Sequence, residues 1–168
     1  MPRAMLLIGP AGVGKTATLH ALSALLDDRE QPHAIIDLDW LAWATLPAAG
    51  PTVHELLVVN LAAVWETFQA AGIERIAVAR ALHSRDEVAA VCRALVGCDV
   101  CVIELSAPPN ELRRRIRQRD TGVELDEHLA AIAAYERTER VGHVDAVIPS
   151  ADASPAQVAR AAMEIAGW

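Results

Sequence analysis

The chain is poor in aromatic residues, which make up 4% of its 168 positions. Phe68 and Tyr135 are the only residues of their types, and four tryptophans complete the set. Hydrophobic residues nevertheless account for 53% of the sequence, so the predicted core is mainly aliphatic. A chain of this length and composition is typical of one globular domain, here residues 1–168, rather than of a disordered protein.

Long apolar runs are absent as well. No stretch approaches the roughly 18 consecutive apolar residues of a membrane-spanning helix, and no basic segment precedes a cleavage site at the start of the sequence. Both absences predict a cytoplasmic protein that does not enter a membrane. The net charge of −7 argues against a nucleic-acid partner, because nucleic-acid-binding surfaces are basic.

Cysteine is scarce and odd in number, with only Cys92, Cys98 and Cys101. Cys98 and Cys101 have the spacing of a redox pair. They fall in an apolar run that is predicted to be a buried strand, however, whereas a redox pair usually opens a helix. We therefore expect inert buried thiols in a reducing compartment; a redox pair is the alternative.

Apolar runs of strand length alternate with stretches of helical periodicity along the chain. Strands are predicted at residues 4–8, 34–37, 73–79, 98–105 and 146–148. Helices are predicted at residues 15–26, 41–50 (a short helix and turn), 53–71, 84–95, 109–119, 126–140 and 154–166. This alternation favours an α/β fold with a five-stranded parallel sheet covered by helices on both faces.

Lysine is nearly missing, since Lys15 is the only one among the 15 basic residues. It stands in the segment Gly9-Pro10-Ala11-Gly12-Val13-Gly14-Lys15-Thr16, which has the Walker A pattern of a phosphate-binding loop between a buried strand and a helix. A compact ammonium fits against phosphate oxygens in such a loop, whereas a guanidinium does not. The retention of lysine at this one position supports the interpretation.

Each part of the loop has a physical task. Glycines let successive backbone N–H groups point at one anion, and the helix that follows adds its N-terminal dipole. Lys15 is expected to reach the outer phosphates, and the Thr16 hydroxyl to bind Mg²⁺. The sequence therefore predicts ATP with Mg²⁺ as the ligand. The predicted nucleotide-binding residues are Gly9, Ala11, Gly12, Val13, Gly14, Lys15, Thr16 and Ala17.

Asp37 and Asp39 close the second predicted strand and can lie on one side of it, because strand side chains alternate. Ligands of open α/β sheets bind beyond the carboxyl ends of the strands, which places this pair near the phosphate-binding loop. One carboxylate is expected to hold the metal or its water, and the other to accept a proton from an attacking hydroxyl. The alternative is a solvated turn in which Asp39 caps the next helix.

An arginine cluster occupies one predicted helix. Its members are Arg113, Arg114, Arg115, Arg117 and Arg119. Arg115 and Arg119 share a face of the helix and are predicted to act in catalysis by closing over the phosphates and stabilising charge during transfer. The alternative is a solvated basic face that Glu111 and Asp120 balance.

These features together resemble the small P-loop kinases, the group that holds shikimate kinase, gluconate kinase, adenylylsulfate kinase and chloramphenicol phosphotransferase. The resemblance rests on the loop, on Asp37-Leu38-Asp39, on Arg115 and Arg119, and on a strand and helix at 145–168. It implies a three-layer P-loop NTPase sandwich with strand order 2-3-1-4-5, a short lid over residues 117–127, Mg²⁺ near Asp37 and Thr16, and the acceptor near Asp39.

The resemblance also implies a kinase that moves the γ-phosphoryl group of ATP to a hydroxyl of a small molecule, with an ATPase or a nucleotide switch as the alternative. The acceptor is expected near residues 40–70. Trp40, Asn60 and Arg80 are the further predicted substrate-binding residues; core packing for the tryptophan and an ion pair for the arginine are the alternatives. The Gly-Gly-Gly of shikimate kinases does not follow the third predicted strand, so the acceptor itself does not carry over. A monomer or a homodimer is expected.

Overall fold

The computed structural model describes residues 1–137 and 144–168. Its strands are β1 (Arg3–Ile8), β2 (Ala34–Asp37), β3 (Arg75–Arg80), β4 (Asp99–Ser106) and β5 (Ala146–Pro149). Its helices are α1 (Lys15–Asp27), α2 (Val53–Ala70), α3 (Arg85–Ala94), α4 (Pro109–Arg119), α5 (Gly122–Arg137) and α6 (Pro155–Ala166). A 3₁₀ turn, Leu38–Ala42, follows β2.

The five strands form one parallel sheet in the order β2-β3-β1-β4-β5. This confirms the predicted fold class and strand order. β1 is the central strand, and its last residue, Ile8, is the register partner of Arg80 on β3 and of Glu104 on β4. The phosphate-binding loop therefore leaves the middle of the sheet, with a charged residue on each side of its root.

Apolar layers cover both faces of the sheet. On one face Ala4, Leu6 and Ile8 of β1 pack with the 3₁₀ turn, α2 and α3. On the other face Met5 and Leu7 pack with α1, α4, α5 and α6. Trp65 is the only aromatic residue among the buried residues of the described chain, which confirms the prediction of an aliphatic core.

Two elements differ from the sequence prediction by more than two residues. The short helix expected over 41–50 is instead the 3₁₀ turn, because Asp37 already caps a turn by accepting a hydrogen bond from the Asp39 N–H at 3.2 Å. The fifth helix begins at Gly122 rather than at residue 126. Residues 138–140 of that predicted helix lie outside the described residues.

The cysteines are free, but they are half-buried rather than buried as the sequence predicted. Burial raises the pKa of the Cys98 thiol to about 11. Burial, followed by the charge of Asp145, also raises the pKa values of Cys92 and Cys101. All three thiols are therefore protonated at neutral pH and are poor nucleophiles.

No helix within residues 1–137 and 144–168 has both the length and the apolar character needed to cross a membrane.

Candidate active site

The loop between β1 and α1 has a backbone that only glycine adopts freely. The φ angles of Gly12 and Gly14 are +77° and +103°. The loop is also packed closely: a Cβ on Gly9 would lie 2.5 Å from the Leu105 carbonyl oxygen, and one on Gly12 would lie 3.1 Å from the Ile116 side chain. Larger residues would push the loop away from β4 and α4, which hold it in place.

Lys15 folds back onto the loop that precedes it. Its Nζ donates hydrogen bonds to the carbonyl oxygens of Gly9 at 2.9 Å and Pro10 at 3.0 Å. Burial lowers the pKa of Lys15 to about 8, although the charges of Asp39 and Asp37 raise it again in part. The ammonium is thus held away from water with neutral partners, and phosphate oxygens would give it the anionic partners that it lacks.

This desolvation predicts a pH dependence of stability. Between pH 8 and 10.5, the folded-state and ordinary pKa values of Lys15, the unfolded chain binds the proton that the folded chain has released. The Lys15 contribution to the free energy of unfolding therefore rises with pH. Lys15→Met is expected to be more stable than the wild type at pH 7, and this difference should shrink by pH 10 in urea unfolding. A difference that stays constant with pH would contradict the lowered pKa.

Thr16 and Asp37 meet as the sequence predicted. The Thr16 hydroxyl donates to Asp37 Oδ2 at 2.6 Å, and Asp37 Oδ1 accepts from the Asp39 N–H. Asp37 therefore caps the 3₁₀ turn, which was the alternative role considered above for Asp39. A hydroxyl and a carboxylate oxygen side by side are the hard oxygen ligands that suit Mg²⁺. These two residues fit the metal expected with ATP.

Asp39 keeps its carboxylate available. The side chain is 65% exposed, and its nearest cation is Arg80, with Nε 3.6 Å from Asp39 Oδ1. Arg80 is only 18% exposed, and its buried Nη1 has no hydrogen-bond partner. Arg80 therefore forms the ion pair that was its alternative role, but at a long distance, and its Nη1 group remains without a hydrogen bond.

One cavity of about 650 Å³ brings most of the predicted residues together. This phosphate-side cavity is lined by Ala11, Gly12, Gly14, Lys15, Thr16, Ala17, Asp37, Asp39, Arg115 and Arg119, and also by His20, Ala81, Ile116, His128 and Ala131. Its volume falls within the range of small-molecule sites, about 300–1,000 Å³. Gly9 and Val13 do not line it; Val13 is instead fully buried in the core.

A second cavity of about 250 Å³ lies on the other side of the loop. It shares Gly12, Gly14, Ala17 and Arg115 with the phosphate-side cavity and is closed by the start of α6, with Pro155 and Val158 among its walls. We refer to it as the α6-side cavity. The two cavities therefore share part of their walls at the start of α1.

Arg115 differs from the sequence prediction. Its guanidinium donates to the carbonyl oxygens of Ser150 at 2.8 Å and Ala151 at 3.1 Å, and to Glu111 Oε1 at 2.8 Å. These bonds tie α4 to the segment between β5 and α6. Arg115 therefore has a structural role that the sequence did not indicate, because its partners are backbone groups far along the chain.

Arg119 is arranged differently. It forms a two-point ion pair with Asp120, at 2.6 and 2.9 Å, and its side chain is 58% exposed. Its charge also lowers the pKa of Lys15, so it faces the phosphate-binding loop. Of the two predicted arginines, Arg119 is the one that no hydrogen bond ties to a distant backbone group in the described chain.

Because their contacts differ, substitutions of Arg115 and Arg119 are expected to have different effects. Arg115→Ala is expected to reduce the free energy of unfolding by about 1–3 kcal/mol, because charge-assisted hydrogen bonds to buried carbonyl groups are lost. In a domain of this size that lowers Tm by roughly 2–4 °C per kcal/mol. Arg119→Ala is expected to lower kcat by more than Arg115→Ala does, and it also lowers Tm, because the buried Asp120 loses its two-point partner. Thermal unfolding and turnover of both variants check this; equal effects of the two changes would contradict it.

The further predicted substrate-binding residues, Trp40, Asn60 and Arg80, do not line the phosphate-side cavity. Asn60 donates from Nδ2 to the Leu41 carbonyl oxygen at 2.6 Å. This hydrogen bond joins α2 to the 3₁₀ turn. The Asn60 amide therefore has a backbone partner instead of a substrate hydroxyl. Trp40 and Trp43 are 70% and 78% exposed, with ring centroids 5.0 Å apart, so core packing does not explain them.

Asp120 and His128 are site residues that the sequence reasoning missed. The Asp120 side chain is 3% exposed, and His128 Nδ1 lies 2.7 Å from Asp120 Oδ2. The Arg119 hydrogen bonds, more than that of His128, hold the pKa of Asp120 below its ordinary value. The sequence showed Asp120 only as a counter-charge beside the cluster. Its burial depends on the packing of α5 against α4.

Comparisons with known proteins now have a frame. No protein-family model matches the sequence, and no curated protein sequence matches it. The APS kinase of Mycobacterium tuberculosis, solved with AMPPNP and APS, is similar in structure, with a TM-score of 0.71 and 15% identity over 99% of this chain and 98% of that one.

Two further solved structures are similar over nearly their full length. Shikimate kinase from Bacteroides thetaiotaomicron has a TM-score of 0.63 and 17% identity, with 100% of both chains covered. The tunicamycin resistance protein of Deinococcus radiodurans has a TM-score of 0.64 and 20% identity over 98% of this chain and 95% of that one. These comparisons establish the fold: the chain has the three-layer sandwich of the small P-loop kinases, as the sequence predicted.

Proposed function

We propose that the chain is a kinase that transfers the γ-phosphoryl group of ATP to a hydroxyl of a small molecule. The observation that carries this proposal is the shared cavity. Lys15, the Thr16–Asp37 pair and the exposed carboxylate of Asp39 line the same space. An anion-binding loop, metal ligands and a free proton acceptor in one cavity are the set that phosphoryl transfer to an alcohol requires.

The nucleotide would lie across the two cavities at the start of α1. Backbone N–H groups of the loop and the Lys15 ammonium bind the phosphates, and the α6-side cavity takes the nucleoside beside the flat guanidinium of Arg115. Thr16 and Asp37 would hold Mg²⁺. Bound there, the ion would supply positive charge against the phosphates during transfer.

Asp39 is proposed as the general base. The acceptor oxygen forms its bond to the γ-phosphorus as the bond from the bridging oxygen breaks, which gives ADP and a phosphate ester. Asp39 takes the proton of the acceptor hydroxyl. Arg80, whose Nε is 3.6 Å from Asp39 Oδ1, would orient Asp39 for this task.

Two segments complete the proposal. The lid, residues 117–127, comprises the end of α4 and the first residues of α5, and its movement would bring Arg119 onto the phosphates and exclude water. Residues 40–70 would form the acceptor side. There, Trp40 and Trp43 offer exposed rings next to Asp39, and such rings stack well on the flat faces of sugars and ring compounds.

A turnover screen tests this function. Purified protein is incubated with Mg²⁺-ATP alone and with each member of a panel of hydroxylated metabolites and antibiotics, and ADP formation is measured. A kinase forms ADP rapidly only when its acceptor is present. Equal ADP formation with and without every panel member would instead support an ATPase.

A further inference from the structure

A third cavity, of about 130 Å³, lies beyond the carboxyl end of β4. This β4-end cavity is lined by Pro10, Glu104, Leu105, Ser106, Ala107, Pro109, Leu112, Ile132, Tyr135 and Glu136. It does not overlap the lining of the phosphate-side cavity. A cavity of roughly 150 Å³ in a protein core accommodates one benzene molecule, so the β4-end cavity has room for a group of a few heavy atoms.

Glu104 contributes a carboxylate to this cavity. It lies near the end of β4 and lines the cavity together with Ile132, Tyr135 and Glu136 of α5. Glu104 is half-buried, and within the described part of the chain no cation lies within salt-bridge distance of it. Its one hydrogen bond there is a long one, 3.4 Å, from the Tyr135 hydroxyl.

The described neighbours of Glu104 in the cavity are neutral or already paired. Burial, followed by the negative charge of Glu104, raises the pKa of Tyr135 well above its ordinary value, so the phenol stays neutral. The His83 ring packs edge-on against Tyr135, with centroids 5.6 Å apart. The other carboxylate of the cavity, Glu136, is already paired with Arg113 at 2.6 Å.

A carboxylate among largely apolar walls is costly unless a cation accompanies it. A hydroxyl group could donate a hydrogen bond to Glu104 but would leave the negative charge in place. A protonated amine both donates and neutralises, and the aromatic ring of Tyr135 adds a favourable cation–π contact. The charge balance of the β4-end cavity thus favours an ammonium group as its occupant.

The cavity adjoins the place where transfer would occur. Pro10 forms part of its wall, and the Pro10 carbonyl oxygen accepts a hydrogen bond from Lys15 Nζ at 3.0 Å. Glu104 is also the register partner of Ile8, which directly precedes the phosphate-binding loop. A molecule anchored in this cavity would therefore extend toward the outer phosphates across a single loop residue.

We propose that the β4-end cavity binds the ammonium group of the acceptor, so that the acceptor is a small amino alcohol such as an amino sugar or a hydroxylated amino acid. This inference rests on the proposed kinase function and specifies its substrate class. Glu104 is the specificity-determining residue, and Tyr135 supports it through its hydroxyl and its ring.

Matched acceptor pairs test the inference. ADP formation is measured with glucosamine against glucose, serinol against glycerol, and serine against glycerate, for the wild type and for Glu104→Gln. Because the amide keeps the shape and removes the charge, the wild type should prefer the amine of at least one pair by more than tenfold in kcat/KM. Glu104→Gln should abolish that preference while the Kd for ATP changes less than twofold. Glu164→Gln, an exposed change near the end of α6 that alters net charge equally, should keep the preference.

The outcomes separate the two proposals. Transfer to neutral alcohols without an amine preference, or an amine preference that survives in Glu104→Gln, would overturn the inference and leave the kinase function standing. Absence of transfer to every acceptor, in this set and in the broader panel, despite ATP binding would overturn both. A fall in Tm of Glu104→Gln with an unchanged amine preference would show a purely structural role for Glu104.

Discussion

Lys15→Ala is expected to abolish measurable phosphoryl transfer while the protein remains folded. The change removes the one ammonium that lies against the loop carbonyl oxygens and that would meet the outer phosphates. Losing a single preorganised donor to a developing charge costs about 10²–10³-fold in kcat, and loss of phosphate binding adds to this. Calorimetric ATP titration and turnover assays measure the two effects separately.

Stability should not fall in this variant. Burial lowers the pKa of Lys15 to about 8, so its removal relieves the free-energy cost of holding a charge away from water. Lys15→Arg is the informative companion, because it retains the charge but not the compact shape, and it is expected to transfer poorly as well. If Lys15→Ala bound ATP as tightly as the wild type, the nucleotide would not lie on this loop.

Asp39→Asn is expected to lower transfer to the acceptor by about 10²–10⁴-fold, the range of general acid–base catalysis. The amide keeps the shape of the side chain and removes its basicity. ATP affinity should barely change, because Thr16 and Asp37, which form their own hydrogen bond at 2.6 Å, would hold the metal. Turnover with a saturating acceptor and ATP calorimetry are the required measurements.

The control for this variant is Asp28→Asn, an exposed change at the far end of α1 that alters net charge equally. The length of α1 places Asp28 about 20 Å from the start of the helix, where the phosphates would bind. Any residual, acceptor-independent ATP hydrolysis should be nearly unchanged in Asp39→Asn. If acceptor-dependent turnover also stayed within twofold of the wild type, Asp39 would not be the base and Asp37 would be the remaining acidic candidate.

Local sequence signals were sufficient for the phosphate-binding loop and for the acidic pair. Gly9 to Thr16 and Asp37 to Asp39 are contiguous segments, and the position of each segment at a strand end follows from the alternation of strands and helices. Their meeting follows in turn from the geometry of a parallel sheet, whose carboxyl ends share one edge. The hydrogen bond between Thr16 and Asp37 is the direct result.

The residues that the sequence placed less well depend on contacts between distant segments. Asn60 donates a hydrogen bond to the Leu41 carbonyl oxygen. Arg115 donates to the carbonyl oxygens of Ser150 and Ala151. Backbone carbonyl groups have no sequence signature, so no pattern could have named these partners. Glu104 has no sequence signal of its own, because the cavity that it lines forms only where Ile132 and Tyr135 of α5 pack beside β4.

The fate of the γ-phosphoryl group tests the central claim most directly. With an acceptor that stimulates ADP formation, the phosphorylated acceptor is quantified by mass spectrometry, and inorganic phosphate is quantified in the same reaction. A kinase forms one phosphate ester for each ADP and releases almost no inorganic phosphate. Inorganic phosphate equal to ADP, with no phosphorylated acceptor, would contradict the kinase account and identify the chain as an ATPase.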